Sequence, residues 1–204
     1  MRVSMVTGPG KTEVLEVPNP APGPADVLVK MKACGICGSD SLYIAMGGLP
    51  PHTGRMPLGH EPAGEVVEVG RDVTGIMVGD HVVINPMAAP RGVIGNGGAS
   101  GALADYLLVE NAVRGTSLEV IPADIPFQVA ALNEPMAVAR HGVNQTRPSP
   151  TDKVVVFGDS LSDNGNLAQK FGGAVPAAPY YNGRFTNGPV AVEVMAQQLG
   201  LPLV

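Results

Sequence analysis

The stretch GHEPAGEVVEVG, residues 59–70, carries two kinds of information. A histidine and a glutamate stand side by side at its start. Behind them runs an apolar, valine-rich segment bounded by turn residues, the pattern of a β-strand. Similar runs recur in ADVLVKMKAC (25–34), GDHVVINP (79–86) and ALADYLLVE (102–110), each closed off by Gly, Pro or Asp. Short strands at this spacing predict a small barrel or sandwich over the first ~120 residues. A helical stretch is predicted next, IPFQVAALNEPMAVARHGVNQ (125–145), where apolar residues recur at helical spacing. RPSPTD (147–152) breaks it.

The whole chain has 204 residues, 45% hydrophobic and 15% charged. That is the make-up of an ordinary globular protein able to build a core. Its length allows one full domain and part of another. The formal net charge of −5 argues against nucleic acid or an anionic membrane surface as partner. No apolar run approaches the ~20 residues that span a bilayer. The N-terminus has no signal-peptide core, so a cytoplasmic location is the expectation. The 27 glycines and 20 prolines are spread along the chain and mark many turns. The two cysteines, Cys34 and Cys37, share one short loop and fit a metal or inert thiols better than a structural disulfide.

Cys37, His60, Glu61 and Glu134 come from three separated segments, CGICGSD, GHEPAGEV and NEPMAV. Thiolate, imidazole and carboxylate are the ligands of a zinc ion that keeps one position open for water or substrate. Taken singly, each has a plainer reading as a structural thiol, a satisfied histidine or a helix N-terminal charge. CGICGSD reads as a tight, glycine-flanked loop. GNGGASG (95–101) does not sit between a strand and a helix as a phosphate loop would, and reads as a flexible surface loop. His52, His81 and His141 read as exposed or hydrogen-bonded structural residues.

MKACGICGSD, PLGHEPAGEVVEVG, VTGIMVGDHVVINP and AALNEPMAVARHGV, in this order, resemble the zinc-dependent medium-chain dehydrogenase/reductases, over nearly all of residues 1–157. The likeness is strongest to the sorbitol and threonine dehydrogenase branch. It implies a GroES-like β-barrel catalytic domain, oxidation of an alcohol or polyol to a carbonyl, and one catalytic zinc. It implies Cys37, His60 and Glu134 as ligands, with Glu61 as a neighbouring carboxylate able to enter the metal's shell. It also implies that Ser39 relays the alcohol proton and that Asp40 orients the ligand histidine. Two departures stand out. Leu42 occupies the position where the family often has a histidine, and the segment NPMAAPRGVIGNGGASGALADY lacks the cysteines of a second, structural zinc.

The strand KVVVFG (153–158), a continuous apolar run, suits a parallel sheet buried on both faces. In the dehydrogenases it leads to the glycine turn that binds NAD(P). Here it continues as DSLSDNGN, with Asp159 and Asp163 where a phosphate would lie, so the family's NAD(P) site is missing in this stretch. VVVFGDSLSDNGN and YYNGRFTNGPVAVEVMAQQLGLPL instead resemble the opening of the GDSL (SGNH) serine esterases, with Ser160 as the implied nucleophile.

The fold expected is therefore mainly β. A GroES-like barrel domain spans residues 1–150, and a short α/β fragment, an incomplete parallel-sheet domain, spans residues 151–204. The leading functional expectation is the zinc-binding catalytic domain of an alcohol-dehydrogenase-like oxidoreductase fused to a truncated esterase fragment, with little turnover as a lone chain. The alternatives are a GDSL-type ester hydrolase and a non-catalytic zinc- or partner-binding module. Exposed apolar surface offers a route to homo-oligomers.

Two outcomes follow from the junction. Titration with NAD or NADP gives no dissociation constant in the low micromolar range, because acidic residues replace the phosphate-binding glycines. Ser160 stays unlabelled by a fluorophosphonate probe, and any p-nitrophenyl ester hydrolysis is unchanged in Ser160→Ala. The four histidines all precede Ser160, and a serine without a placed base forgoes roughly 10²- to 10⁴-fold in rate.

Overall fold

The computed structural model describes residues 1–49 and 55–146. His52, the KVVVFG strand, Ser160 and the fragment at 151–204 lie outside those residues. The chain divides into two compact units, Met1–Glu134 and Pro135–Val204.

In the first unit, strands β1 (Arg2–Gly8), β2 (Lys11–Glu16) and β4 (Met56–Pro57) form a three-stranded sheet in the order β2-β1-β4. A five-stranded sheet has the order β7-β3-β5-β6-β8, from β3 (Val27–Gly35), β5 (Glu61–Val69), β6 (His81–Ile84), β7 (Tyr106–Val109) and β8 (Leu118–Ile121). All pairings are antiparallel. The stretch 59–70 thus supplies the middle strand of the larger sheet. An isolated bridge pairs Val3 of β1 with Ala104, two residues before β7. Beside it, Arg2 grips Asp105 with its backbone N–H at 2.7 Å and its guanidinium at 2.8 Å. These hydrogen bonds hold the Asp105 carboxyl down at about 2.

Alternation in the strands decides what is buried. Val66, Val29 and Leu107 lie in register across β5, β3 and β7 and are fully buried. They sit at the heart of a core that includes Val27, Val82, Ile84, Val109 and Leu118. The opposite face of β5 and β6 presents Ala63 and Val83, covered by Ala130 and Ala131 at the end of helix α2 (Phe127–Ala130). A third cluster, Val6, Tyr43, Met56 and Leu58, seats helix α1 (Gly38–Met46) on the smaller sheet. Among the described residues, no helix is long and apolar enough to cross a membrane.

Three expectations need correction. CGICGSD is not only a loop, since α1 begins at Gly38. The helical stretch 125–145 is two helices, α2 and α3 (Asn133–Thr146), separated by Ala131 and Leu132. Pro135 explains the break: it has no N–H for the previous turn, yet it is tolerated in the first turn of a new helix. His81 is neither free nor hydrogen-bonded through Nδ1. That atom is buried without a hydrogen-bond partner, and the ring packs on Phe127 with centroids 4.3 Å apart. His141 is exposed beside Gln145, as expected.

Leu107→Ala removes a fully buried side chain from the central row. It should cost roughly 2–5 kcal/mol, read as a lower urea midpoint at unchanged slope.

Candidate metal centre

Antiparallel pairing of β3 with β5 places the end of one strand beside the start of the other, with Gly35 opposite Glu61 and Cys34 opposite Pro62. CGIC runs out of β3 and His60 leads into β5, so residues far apart in sequence meet at one rim.

Cys37 is the N-cap of α1. Its backbone N–H donates to Asp40 Oδ2 at 2.9 Å, which fixes the first turn. The other oxygen, Asp40 Oδ1, faces His60 Nδ1 at 3.7 Å, longer than a hydrogen bond. Both atoms are buried and neither has a hydrogen-bond partner. Burial pushes the Asp40 carboxyl up, and the N–H groups of Cys37 and Gly59 and the charge of His60 oppose it.

The ligand atoms of Cys37, His60 and Glu61 lie within 4.8 Å of one another. A hydrogen bond from His60 pulls the Cys37 thiol down, aided by the hydroxyl and N–H of Ser39 and opposed by burial. Burial alone would lower His60; its bond to Cys37 and the charges of Asp40, Cys37 and Glu134 raise it above its usual value. A thiol biased toward thiolate, an imidazole backed by a carboxylate and a third anionic oxygen suit zinc.

Of the residues singled out from the sequence, Cys37, His60, Glu61, Ser39 and Asp40 therefore come together. Glu134, in the first turn of α3, stands outside the tight group. It is near enough for its charge to act on His60, and burial raises its carboxyl. Cys34 is different in kind. Burial pushes its thiol up to about 12, and Sγ lies 3.4 Å from Gly35 O.

GNGGASG does not behave as a free surface loop. Gly95 and Gly98 are buried, and Gly95 packs so closely on Gly59 that a Cβ there would overlap the Gly59 backbone. Ala102 N–H donates to Gly59 O at 2.9 Å. The loop thus buttresses the residue before His60. Burial raises the Tyr43 hydroxyl, and the nearby polar groups of Ser39 and of Asn96 from this loop oppose the shift. Sequence reasoning missed Tyr43 and Asn96. The available signal for Tyr43 was its position four residues after Ser39, one helical turn away.

Residues 23–117 match the alcohol dehydrogenase GroES-like domain family. The (R,R)-butanediol dehydrogenase of Bacillus subtilis (strain 168) is 36% identical over 171 residues, covering 72% of this chain and 47% of that protein. The sorbitol dehydrogenase of Halalkalibacterium halodurans is 34% identical over 168 residues, covering 74% and 47%. The crystal structure of the Bacillus subtilis 2R,3R-butanediol dehydrogenase superposes with a TM-score of 0.65 at 30% identity, over 74% of this chain and 49% of that one. The chain spans about half the length of these relatives. Over residues 23–117 the chain carries an alcohol dehydrogenase GroES-like domain, similar to that part of butanediol, sorbitol and threonine dehydrogenases.

Proposed function

We propose that this domain binds one catalytic zinc and is the part of an alcohol- or polyol-oxidising enzyme that holds and activates the alcohol; the NAD(P) that accepts hydride in the family has no recognisable site in the stretch after Gly158. The observation that carries the reading is the convergence of Cys37, His60 and Glu61, with Asp40 behind the imidazole. Zinc held there supplies Lewis acidity toward an alcohol oxygen. The protein's own part is to bind, orient and move a proton. Asp40 Oδ1 stands 3.7 Å behind His60 Nδ1, so Nε2 is the nitrogen that would hold the metal. Ser39, in the first turn of α1, stands next to Cys37, and its Oγ would accept the alcohol proton as its own hydroxyl proton passes on to solvent. Leu42 stands where the family often has a histidine, and Tyr43, one helical turn after Ser39, is the nearest hydroxyl on the same helix face. Glu134 contributes a negative charge toward His60 and remains a candidate ligand.

For residues 151–204 the proposal rests on sequence alone: a GDSL-like segment with Ser160 at the nucleophile position, with the esterase reading as the alternative outcome of the labelling test above.

The test of the zinc reading is elemental analysis after purification without chelator. About one zinc per chain is expected, lost in Cys37→Ala and in His60→Ala and retained in Cys34→Ala. Protein free of zinc, or zinc retained in both ligand variants, overturns it.

A further inference from the structure

Gly35 is the last residue of β3 and the cross-strand partner of Glu61, the first residue of β5. Directly paired residues place their side chains on the same face of a sheet, a few ångströms apart. A side chain at position 35 would therefore compete for the space that Glu61 fills. The geometry bears this out. A Cβ on Gly35 would overlap Glu61 Oε2 and lie 2.8 Å from Glu61 Cδ and 3.0 Å from Glu61 Cβ. These three nearest atoms all belong to Glu61. The Gly35 backbone does not call for glycine, because its φ is outside the left-handed region occupied by Gly47 and Gly59. The demand for glycine comes from the carboxylate lying over its bare Cα. That carboxylate is the one whose oxygen lies within 4.8 Å of the ligand atoms of Cys37 and His60.

We propose that Gly35 is a positioning residue for the metal centre: its missing side chain is the space in which the Glu61 carboxylate is held beside Cys37 and His60. A methyl group at position 35 turns the carboxylate off the end of β3 and out of the ligand group. The steric part of the inference rests on the fold alone; its consequence for the metal rests on the zinc reading above.

The experiment is a double-mutant cycle on the full chain with Gly35→Ala, Glu61→Ala and the double variant. Two measurements are made: zinc affinity by competition with a chromophoric chelator, and urea denaturation with chelator present. Each single variant should weaken zinc binding by roughly 10- to 100-fold, the usual cost of disturbing a supporting group. The double variant should bind no more weakly than Glu61→Ala, since Gly35 acts only through Glu61. In the metal-free protein, Gly35→Ala should lower the urea midpoint, and adding Glu61→Ala should restore it to that of Glu61→Ala alone. The inference is overturned if Gly35→Ala binds zinc as tightly as the parent, or if the two affinity losses multiply. Should the parent bind no zinc, the zinc reading falls and denaturation decides the steric part: a Gly35→Ala penalty undiminished without Glu61 refutes it. Should Gly35→Ala fail to fold, recovery of folding in the double variant supports the inference, and failure of both refutes it.

Discussion

One buried carboxylate ties the site together. Asp40 is 2% exposed, and its two oxygens do separate jobs. Oδ2 accepts the Cys37 N–H and closes the first turn of α1, while Oδ1 stands behind the His60 ring. The Gly59 N–H also points to it. A helix start and a strand start, from different parts of the chain, are thereby fixed on one group. A buried carboxylate is costly unless it is surrounded by donors and positive charge. The arrangement is thus self-consistent only when Cys37, Gly59 and His60 are all in place. A cation bound by Cys37 and His60 would reinforce the same charge pattern.

The sheet supplies the frame for this constraint. β5 is the middle strand of five, its pairing with β3 runs to the last residue of β3, and both of its faces are covered. The candidate rim is therefore built at the start of a strand packed on both faces, where rigidity would keep ligand atoms in place. The 95–104 segment adds a buttress. Backbone bonds from Ala102 to Gly59 and from Leu103 to Leu58 carry it along the approach to His60, and Gly95 lets it come within backbone contact. In the residues where a second zinc lobe would be expected, glycine packing holds the chain against the strand instead.

The site also separates two cysteines of one short loop by environment. Cys37 sits at a helix N-terminus among hydrogen-bond donors, and its thiol is pulled toward thiolate. Cys34 points into packed surroundings where burial keeps the proton on sulfur. Three residues of spacing are enough to place one in the candidate ligand group and the other against the core, because the chain leaves the strand between them.

By itself the sequence determined the β character of the first unit and the chemistry of its rim. β3, β5, β6 and β7 are legible because β-branched, alternating residues between turn formers have few other ways to be buried. Cys37, His60 and Glu61 stand out as a thiolate, imidazole and carboxylate set, while Ser39 and Asp40 were legible only through the resemblance to the dehydrogenases. Tertiary structure decided the rest. α1 is short and opens on glycine, so its local signal is weak; it stands because Tyr43 packs with Val6, Met56 and Leu58. The burial of the Gly95 loop depends on Gly59, a neighbour remote in the chain. Which carboxylate joins Cys37 and His60 was equally out of reach. Glu61 and Glu134 have the same chemistry, and strand register, with a bare Cα opposite, brings Glu61 into the tight group.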